Sequence, residues 1–336
     1  MSMPEIKYCP GTLAEGYDTY SATCRRILFD RKKVSHILPY DQPQQDEAVN
    51  EQFIENRKRI SISGVQEKLS LILDKNILRL TNEGEQGTYI LKPIPRDLRN
   101  VDQVPANEHL TMQIASQLYN INTAANAMIF FKNGTPAYIT KRFDVKEDKT
   151  KWKVEDFASL AEKTKDTDGP DFKYGYSYEE IGSLIKRFVP AWKVEIEKFF
   201  SLVVFNFLFS NGDAHLKNFS LIETQEGDSI LSPAYDLINT RLHVSDTDFA
   251  LDKKLFKDDF QTPVWKKTGH PCAEDFVEFA KRIGLNENRI GKLLQPFTER
   301  QLMVDEFIKR SFLSEKSKRA YQLHYDTKRN NLNEAD

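Results

Sequence analysis

The strongest constraint on the fold is an apolar segment at residues 199–209, which reads FFSLVVFNFLF. A helix over residues 195–210 would be hydrophobic on nearly every face, so it has to be buried. The apolar run is too short to cross a bilayer. We therefore predict a helix at the centre of a globular domain.

Polar residues follow this segment directly, in the sequence NGDAHLKN at 211–218. Asn211 and Gly212 both tolerate the left-handed backbone conformation that ends many helices, so we expect them to end this one. The next polar residues are then mounted on a rigid support, as catalytic groups usually are. A hairpin with strands at 218–224 and 230–238 is predicted to follow, and its returning strand carries Asp236.

The spacing of three polar residues is typical of phosphoryl transfer. Four residues separate Asp213 from Asn218, and Asp236 follows on the next hairpin, as in the catalytic and metal loops of protein kinases. In that chemistry Asp213 accepts the proton of the attacking hydroxyl, while oxygens of Asn218 and Asp236 hold Mg²⁺. The alternative interpretation is a polar loop whose Asp and Asn side chains only cap backbone amides.

Strand patterns dominate the first part of the chain and helical patterns the rest. Strands are predicted at 68–74, 76–82 and 88–93, a helix at 106–119, and a hairpin at 127–144 that turns at Asn133 and Gly134. Further helices are predicted at 177–189, 193–210, 272–285 and 300–313. The predicted fold class is α+β, a two-lobed protein-kinase-like fold. It has a strand-rich N-terminal lobe (1–145), an all-helical C-terminal lobe (146–336) and a ligand cleft between them.

A kinase needs a lysine in its first lobe to neutralise nucleotide phosphates, and a carboxylate to orient that lysine. Lys92 lies at the end of a predicted strand, and Glu108 lies early in the helix that follows. The alternatives are a solvated lysine at a strand end and a glutamate placed favourably against the helix dipole.

The phosphate loop of ordinary kinases is missing, because RISISGVQEKLSL at 59–71 contains a single glycine, Gly64. The backbone amides of residues 63–66, helped by Lys68, are still able to cradle phosphates. The segment 139–143 would join the two lobes, and its backbone would contact adenine.

Charge, cysteine content and the first residues bear on partners and location. The 48 basic and 50 acidic side chains leave a net charge of −2, so nothing demands a nucleic-acid partner. Three cysteines do not make a disulfide framework. Cys9 and Cys24 would be only half of a zinc site, so we interpret all three as ordinary thiols. The first residues lack the apolar core of a signal peptide, and we infer a cytoplasmic protein.

With these segments in hand, the chain resembles the HipA family of bacterial serine/threonine kinases, the toxins of toxin–antitoxin systems. The segments that carry the resemblance are SISGVQEKLSL, YILKP, NEHLTMQIA, KRFD, EDFASL, NGDAHLKNFSL and PAYDL, all in family order between residue 60 and about residue 240. The resemblance implies that Asp213 is the catalytic base, that Asn218 and Asp236 hold the metal, and that Lys92 binds phosphate. It further implies nucleotide contacts from Ser63, Gly64, Val65, Gln66, Glu67, Lys68, Lys141, Arg142, Phe143, His215, Leu216, Lys217, Asn218, Tyr235 and Asp236.

The resemblance also implies a function. The chain would use ATP and Mg²⁺ to phosphorylate a protein, in this family an aminoacyl-tRNA synthetase, and would phosphorylate itself at Ser61 or Ser63. Little in the chain corresponds to the extra N-terminal subdomain of longer members. It therefore looks like the short HipT branch, in which a separate small protein supplies that piece. A DNA-binding antitoxin would be a further partner, so contact with DNA would be indirect.

Two other functions remain open. Aminoglycoside phosphotransferases also carry a histidine two residues after the base, as His215 does here, although Lys217 and SGVQEKL argue against that class. A nucleotide-binding pseudokinase that serves only as an assembly partner is the second alternative, although the intact set of Lys92, Asp213, Asn218 and Asp236 argues against it.

Overall fold

The structure, a computed structural model, describes residues 5–42, 67–95 and 98–335. The chain divides into two compact units. Unit 1 comprises residues 1–114, 124–151 and 306–318, and unit 2 comprises residues 115–123, 152–305 and 319–336. The predicted lobes, 1–145 and 146–336, stay a prediction.

The described ranges contain eight strands and eleven α-helices. The strands are β1 (Leu69–Asp74), β2 (Ile77–Leu80), β3 (Tyr89–Lys92), β4 (Asn126–Phe130), β5 (Pro136–Lys141), β6 (Val154–Asp156), β7 (Ser220–Glu223) and β8 (Ser229–Leu231). The helices are α1 (Ala22–Leu28), α2 (Val104–Leu118), α3 (Phe157–Leu160), α4 (Lys165–Asp168), α5 (Tyr178–Phe188), α6 (Trp192–Leu208), α7 (Pro263–Thr268), α8 (Ala273–Arg282), α9 (Glu287–Thr298), α10 (Leu302–Arg310) and α11 (Glu315–Leu332). None of these helices is long and apolar enough to span a bilayer.

Unit 1 is built on an antiparallel sheet with the strand order β2-β1-β3-β5-β4. The three strands and the hairpin that the sequence predicts are all present. The hairpin turns where expected, because the N–H of Gly134 donates to the carbonyl of Phe131 over 2.8 Å and Gly134 takes the positive φ that glycine allows. The register of β3 and β5 places Lys92 opposite Tyr138.

The three cysteines are free and buried, as the sequence predicts. The N–H of Ser21 donates to Sγ of Cys9 over 3.1 Å. The Cys24 thiol beside Cys9, more than the bonds from Ser21, lowers the pKa of Cys9 to about 4. No group of three or more His, Cys, Asp and Glu side chains that could hold a metal occurs in the described part of the chain.

Unit 2 is organised around α6, which confirms the predicted central helix. Phe199, Phe200, Phe205 and Phe207 are fully buried. The prediction that residues 195–210 are buried on nearly every face is wrong for the first half of that range, where the Lys198 side chain is 53% exposed and Glu197 and Ser201 are half-buried. From Leu202 onward every residue of α6 is buried, so the end that carries the polar loop is the fixed end.

The α+β class is confirmed, but the description of the second lobe as all-helical is wrong. Unit 2 contains a sheet with the order β6-β7-β8, in which β7 pairs antiparallel with both neighbours. The predicted returning strand is also shorter than expected, because β8 ends at Leu231. Asp236 therefore lies in the loop beyond β8 and not on a strand.

Candidate active site

The turn after α6 differs from the one predicted. Ser210, not Asn211 or Gly212, has the left-handed conformation, with a φ of 56°. Gly212 lies close to another segment, because a Cβ atom there would be 2.4 Å from the carboxylate of Asp246. The Asp246 side chain can take its present position because residue 212 has no side chain.

Asn211 ties the predicted base to the predicted metal ligand. Its Oδ1 accepts from the N–H of Asp213 over 3.4 Å, and its Nδ2 donates to the carbonyl of Asp236 over 3.5 Å. The same Nδ2 donates to Oδ1 of Asn206 over 2.9 Å, inside α6. These bonds bring the loop after α6 and the loop after β8 together on one buried amide.

The Asp213 carboxylate is held at the surface of unit 2. Its side chain is 55% exposed, and the hydroxyl of Tyr174 donates to Oδ1 over 2.9 Å. Removal of water by the surrounding protein raises the pKa of Asp213, and the carboxylates of Asp246 and Asp236 add to the rise. The Tyr174 bond and the charge of Lys173 oppose it. A carboxylate with a raised pKa and an exposed oxygen is suited to accept a proton.

His215 is a buried, neutral neighbour of this carboxylate. Burial first, and the positive charge of Lys173 second, lower the pKa of His215 to about 3. Its ring packs edge-on against Tyr174, with centroids 5.3 Å apart. Its Nδ1 atom is buried and has no hydrogen-bond partner in the described ranges. Within the fold that atom is a polar group open to a hydrogen bond from water or from a bound molecule.

Asn218 closes the loop onto itself. Residues Leu216–Asn218 form a short 3₁₀ turn, and Oδ1 of Asn218 accepts from the N–H of His215 over 3.3 Å. The N–H of Asn218 donates back to the carbonyl of His215 over 2.9 Å. Part of the capping interpretation is thus correct, because this side chain does bond a backbone amide. The bond is long and leaves oxygen lone pairs on Asn218 for another partner.

The segment 235–236 has an unusual backbone. Asp236 has a φ of 56°, in the left-handed region that Asp tolerates better than most residues other than glycine. The preceding Tyr235 is held in the fold, since its hydroxyl donates to the carbonyl of Lys217 over 3.0 Å and lies 2.5 Å from Oγ of Ser220.

Unit 1 contains the predicted lysine and its carboxylate as a buried ion pair. Nζ of Lys92 lies 2.6 Å from Oε1 of Glu108, and the two side chains are 5% and 3% exposed. Nζ also lies 5.4 Å from the ring centroid of Tyr138. The alternative of a solvated lysine is therefore wrong.

The positions of the other predicted nucleotide-contacting residues of unit 1 do not by themselves indicate a nucleotide site. Lys141 pairs with Asp30 over 2.6 Å, and Arg142 donates to both carboxylate oxygens of Asp144. Phe143 is half-buried. Glu67 and Lys68 precede β1 and are half-buried. Ser61, Ser63, Gly64, Val65 and Gln66 lie outside the described residues, so their predicted roles stay predictions.

A cavity of about 320 Å³ in unit 2 adjoins the back of this loop. It is lined by apolar and polar groups from residues 119–122, the open face of α6 and the β7–β8 hairpin. Among the predicted nucleotide-contacting residues that the structure describes, only Asn218 lines it.

Sequence reasoning missed Lys173, Tyr174 and Asp246 and gave Asn211 only a capping role. Tyr174 is 39 positions from Asp213 along the chain, and no periodicity or motif links the two segments. The single glycine before Asp213 was the one available sign of a close approach, but it does not name Asp246 as the neighbour.

Comparison with known proteins identifies a family. The sequence profile described as "HipA-like C-terminal domain" matches residues 60–304. A Haemophilus influenzae protein that is named, provisionally, as a kinase is 28% identical over 317 residues, which cover 89% of this chain and 88% of that protein. The Sinorhizobium fredii protein Y4dM, also provisionally named a kinase, is 30% identical over 62% of this chain, which spans 52% of that protein.

A solved structure has the same fold. It is HipA of a Shewanella oneidensis toxin–antitoxin system, in complex with HipB and operator DNA. It matches with a TM-score of 0.60 at 21% identity, over 80% of this chain and 63% of the HipA chain. At this identity the match shows the fold, and it agrees with the resemblance that the sequence carries.

Proposed function

This chain belongs to the family of HipA-like C-terminal domains, and we propose that it is an ATP- and Mg²⁺-dependent serine/threonine protein kinase. The observation that carries the proposal is the set of bonds through Asn211. They hold the half-exposed carboxylate of Asp213 close to Asp236, whose backbone is left-handed. The same loop carries Asn218, and the bond from Asn211 to the carbonyl of Asp236 links it to the loop that carries the second proposed ligand.

The proposed roles follow from the chemistry of phosphoryl transfer. Asp213 accepts the proton of the acceptor hydroxyl, and Lys92, oriented by Glu108, neutralises nucleotide phosphates. We assign nucleotide contacts to Ser63, Gly64, Val65, Gln66, Glu67, Lys68, Lys141, Arg142, Phe143, His215, Leu216, Lys217, Asn218, Tyr235 and Asp236. The unpartnered Nδ1 of buried His215 supports its place among them.

The donor set around Asp213 suits a divalent cation. Asn218 and Asp236 supply hard oxygen ligands, and Mg²⁺ is commonly held by one or two carboxylates together with substrate phosphates. Desolvation is the main cause of the raised pKa of Asp213, the charge of Lys173 opposes it, and the carboxylates of Asp246 and Asp236 add to it. These two carboxylates contribute negative charge close to the proposed metal site. When bound, Mg²⁺ would offset that charge and neutralise phosphate oxygens.

Removal of Asp236 should abolish Mg²⁺-dependent ATP binding, because this carboxylate is the main anionic ligand of the proposed metal. Asn218→Ala should weaken binding less, since a neutral carbonyl contributes less to a divalent ion. Calorimetry with ATP in the presence and absence of Mg²⁺ measures both variants. An unchanged affinity in Asp236→Ala would remove its role as a metal ligand.

We further propose that the kinase is a growth-inhibiting toxin whose protein substrate is an aminoacyl-tRNA synthetase. The solved Shewanella neighbour is a HipA toxin bound to HipB and operator DNA, which supports a DNA-binding antitoxin as a partner. A small separate protein in place of the N-terminal subdomain, as in the HipT branch, remains part of this proposal.

Incubation with labelled ATP, Mg²⁺ and a cell lysate tests the activity. Label on one or a few proteins is expected, and digestion should place it on serine or threonine. Label that goes only to an added aminoglycoside would instead favour the small-molecule phosphotransferase. Bound but unconsumed ATP would favour the pseudokinase.

Autophosphorylation is expected in the serine-rich segment SIS. Mass spectrometry of active protein should find phosphate at Ser61 or Ser63, and protein with Asp213→Asn should lack it. Each phosphate adds about −1.5 to −2 charge, so the modified protein should bind ATP more weakly. Phosphate in equal amount on both proteins would mean that another kinase placed it.

A further inference from the structure

We propose that Tyr174 is the positioning residue for the catalytic base, fixing the Asp213 carboxylate so that its second oxygen receives the acceptor hydroxyl. The inference rests on the proposed kinase function and adds a residue to that site. It starts from the hydrogen bond between the Tyr174 hydroxyl and Oδ1 of Asp213.

This bond is the only side-chain hydrogen bond to the Asp213 carboxylate within the described ranges. The nearest ring nitrogen, Nε2 of His215, is 3.9 Å from Oδ1, which is beyond hydrogen-bond distance. The Asp213 side chain is mostly exposed, so without Tyr174 it would be free to change rotamer. With Oδ1 engaged, Oδ2 is the oxygen left to accept a proton.

The segment that carries Tyr174 is held in place by backbone hydrogen bonds and by a ring contact. The N–H of Leu216, in the catalytic loop, donates to the carbonyl of Lys173 over 3.2 Å. The N–H of Asp252 donates to the carbonyl of Tyr174 over 3.0 Å, and the Tyr174 ring packs against His215. The segment that carries the hydroxyl is thus fastened to the same loop that carries the base.

Burial and nearby charges keep the Tyr174 hydroxyl protonated, so that it remains a hydrogen-bond donor to Asp213. Burial first, and the negative charge of Asp213 second, raise the pKa of Tyr174, so its proton stays in place at neutral pH. The charged groups that act on Asp213 are Lys173, Asp236 and Asp246, and His215 beside it is neutral. Within this set the Tyr174 bond favours the ionised form of Asp213.

The test is Tyr174→Phe, with Tyr176→Phe as the matched control. Both variants lose one hydroxyl from the same half-buried loop, but only the first loses a bond to Asp213. A hydrogen bond to a charged group changes an equilibrium constant or a rate constant by about 10- to 100-fold. Tyr174→Phe should therefore lower kcat by about that factor, with the KM for ATP unchanged, and Tyr176→Phe should leave both unchanged.

A pH profile separates positioning from a general loss of structure. Because the lost bond favoured ionised Asp213, its pKa should rise, and the acidic limb of kcat against pH should move to higher pH in Tyr174→Phe alone. Equal kcat and equal profiles in the parental protein and both variants would overturn the inference. A fall in kcat of the same size in both variants would also overturn it.

A second measurement does not depend on activity. Carbon NMR of the labelled Asp213 carboxyl should give a higher pKa in Tyr174→Phe than in the parental protein or in Tyr176→Phe. If the parental protein transfers no phosphate, the kinase proposal fails and Tyr174 has no catalytic meaning. The NMR titration still shows whether the tyrosine holds the carboxylate. An unchanged Asp213 pKa beside an active parental enzyme would sink the positioning role alone.

Discussion

Replacing Asp213 with Asn should lower the rate of phosphate transfer by about 10²- to 10⁴-fold, the usual contribution of a general base. The amide keeps the size of the carboxylate, and its oxygen can still accept from the Tyr174 hydroxyl 2.9 Å away. What is lost is the basic oxygen that takes the proton. Transfer from labelled ATP to the protein substrate measures the effect.

Binding and fold provide the control for this variant. Asp213→Asn should keep its circular dichroism spectrum and bind Mg²⁺–ATP, because the proposed metal ligands are Asn218 and Asp236. Expression of the parental chain alone should arrest growth, while equal amounts of the variant should not. A variant that transfers phosphate at the parental rate would show that Asp213 is not the base.

The Lys92–Glu108 pair should give the largest effect on stability. Both groups are nearly inaccessible to water and lie 2.6 Å apart, so Glu108→Gln removes the negative charge that lies 2.6 Å from a buried ammonium. Loss of one partner of a buried pair costs about 3–5 kcal/mol. Lys92→Met should lower the free energy of unfolding by a similar amount, because it removes the positive charge beside the buried Glu108 carboxylate. Urea unfolding of both variants measures these losses.

Two controls separate stability from function at this pair. The exposed pair Lys141–Asp30 is also 2.6 Å long, and breaking it in Asp30→Asn should lower the free energy of unfolding by at most about 1 kcal/mol. The double variant Lys92→Met/Glu108→Gln removes both charges of the pair together and should be more stable than either single variant. It should still fail to bind ATP, because the phosphate-binding charge is gone. Single variants with the parental free energy of unfolding would contradict the importance of the pair.

Local patterns were enough to predict most elements of the fold. The period of apolar residues located α2, α6 and the strands of unit 1, because periodicity directly reports which face of an element is buried. The pair Asn133–Gly134 located the hairpin turn, because only certain residues tolerate that backbone conformation. The same logic failed after Leu231, where β8 ends and Pro233 follows two residues later.

The spacing of Asp213, Asn218 and Asp236 was likewise readable in the sequence, since it depends on one loop and one hairpin. The tertiary structure decided what surrounds them. Asn211 links two loops. Tyr174 donates a hydrogen bond to Asp213, 39 positions away along the chain, and the Asp246 carboxylate lies close to Gly212. These contacts join segments that share no local pattern, and their burial and charge set the pKa values of Asp213 and His215. Residue types and their local spacing therefore establish which groups are available for chemistry. Only the packing of distant segments decided how those groups are held and charged, because hydrogen bonding and desolvation depend on neighbours in space and not on neighbours along the chain.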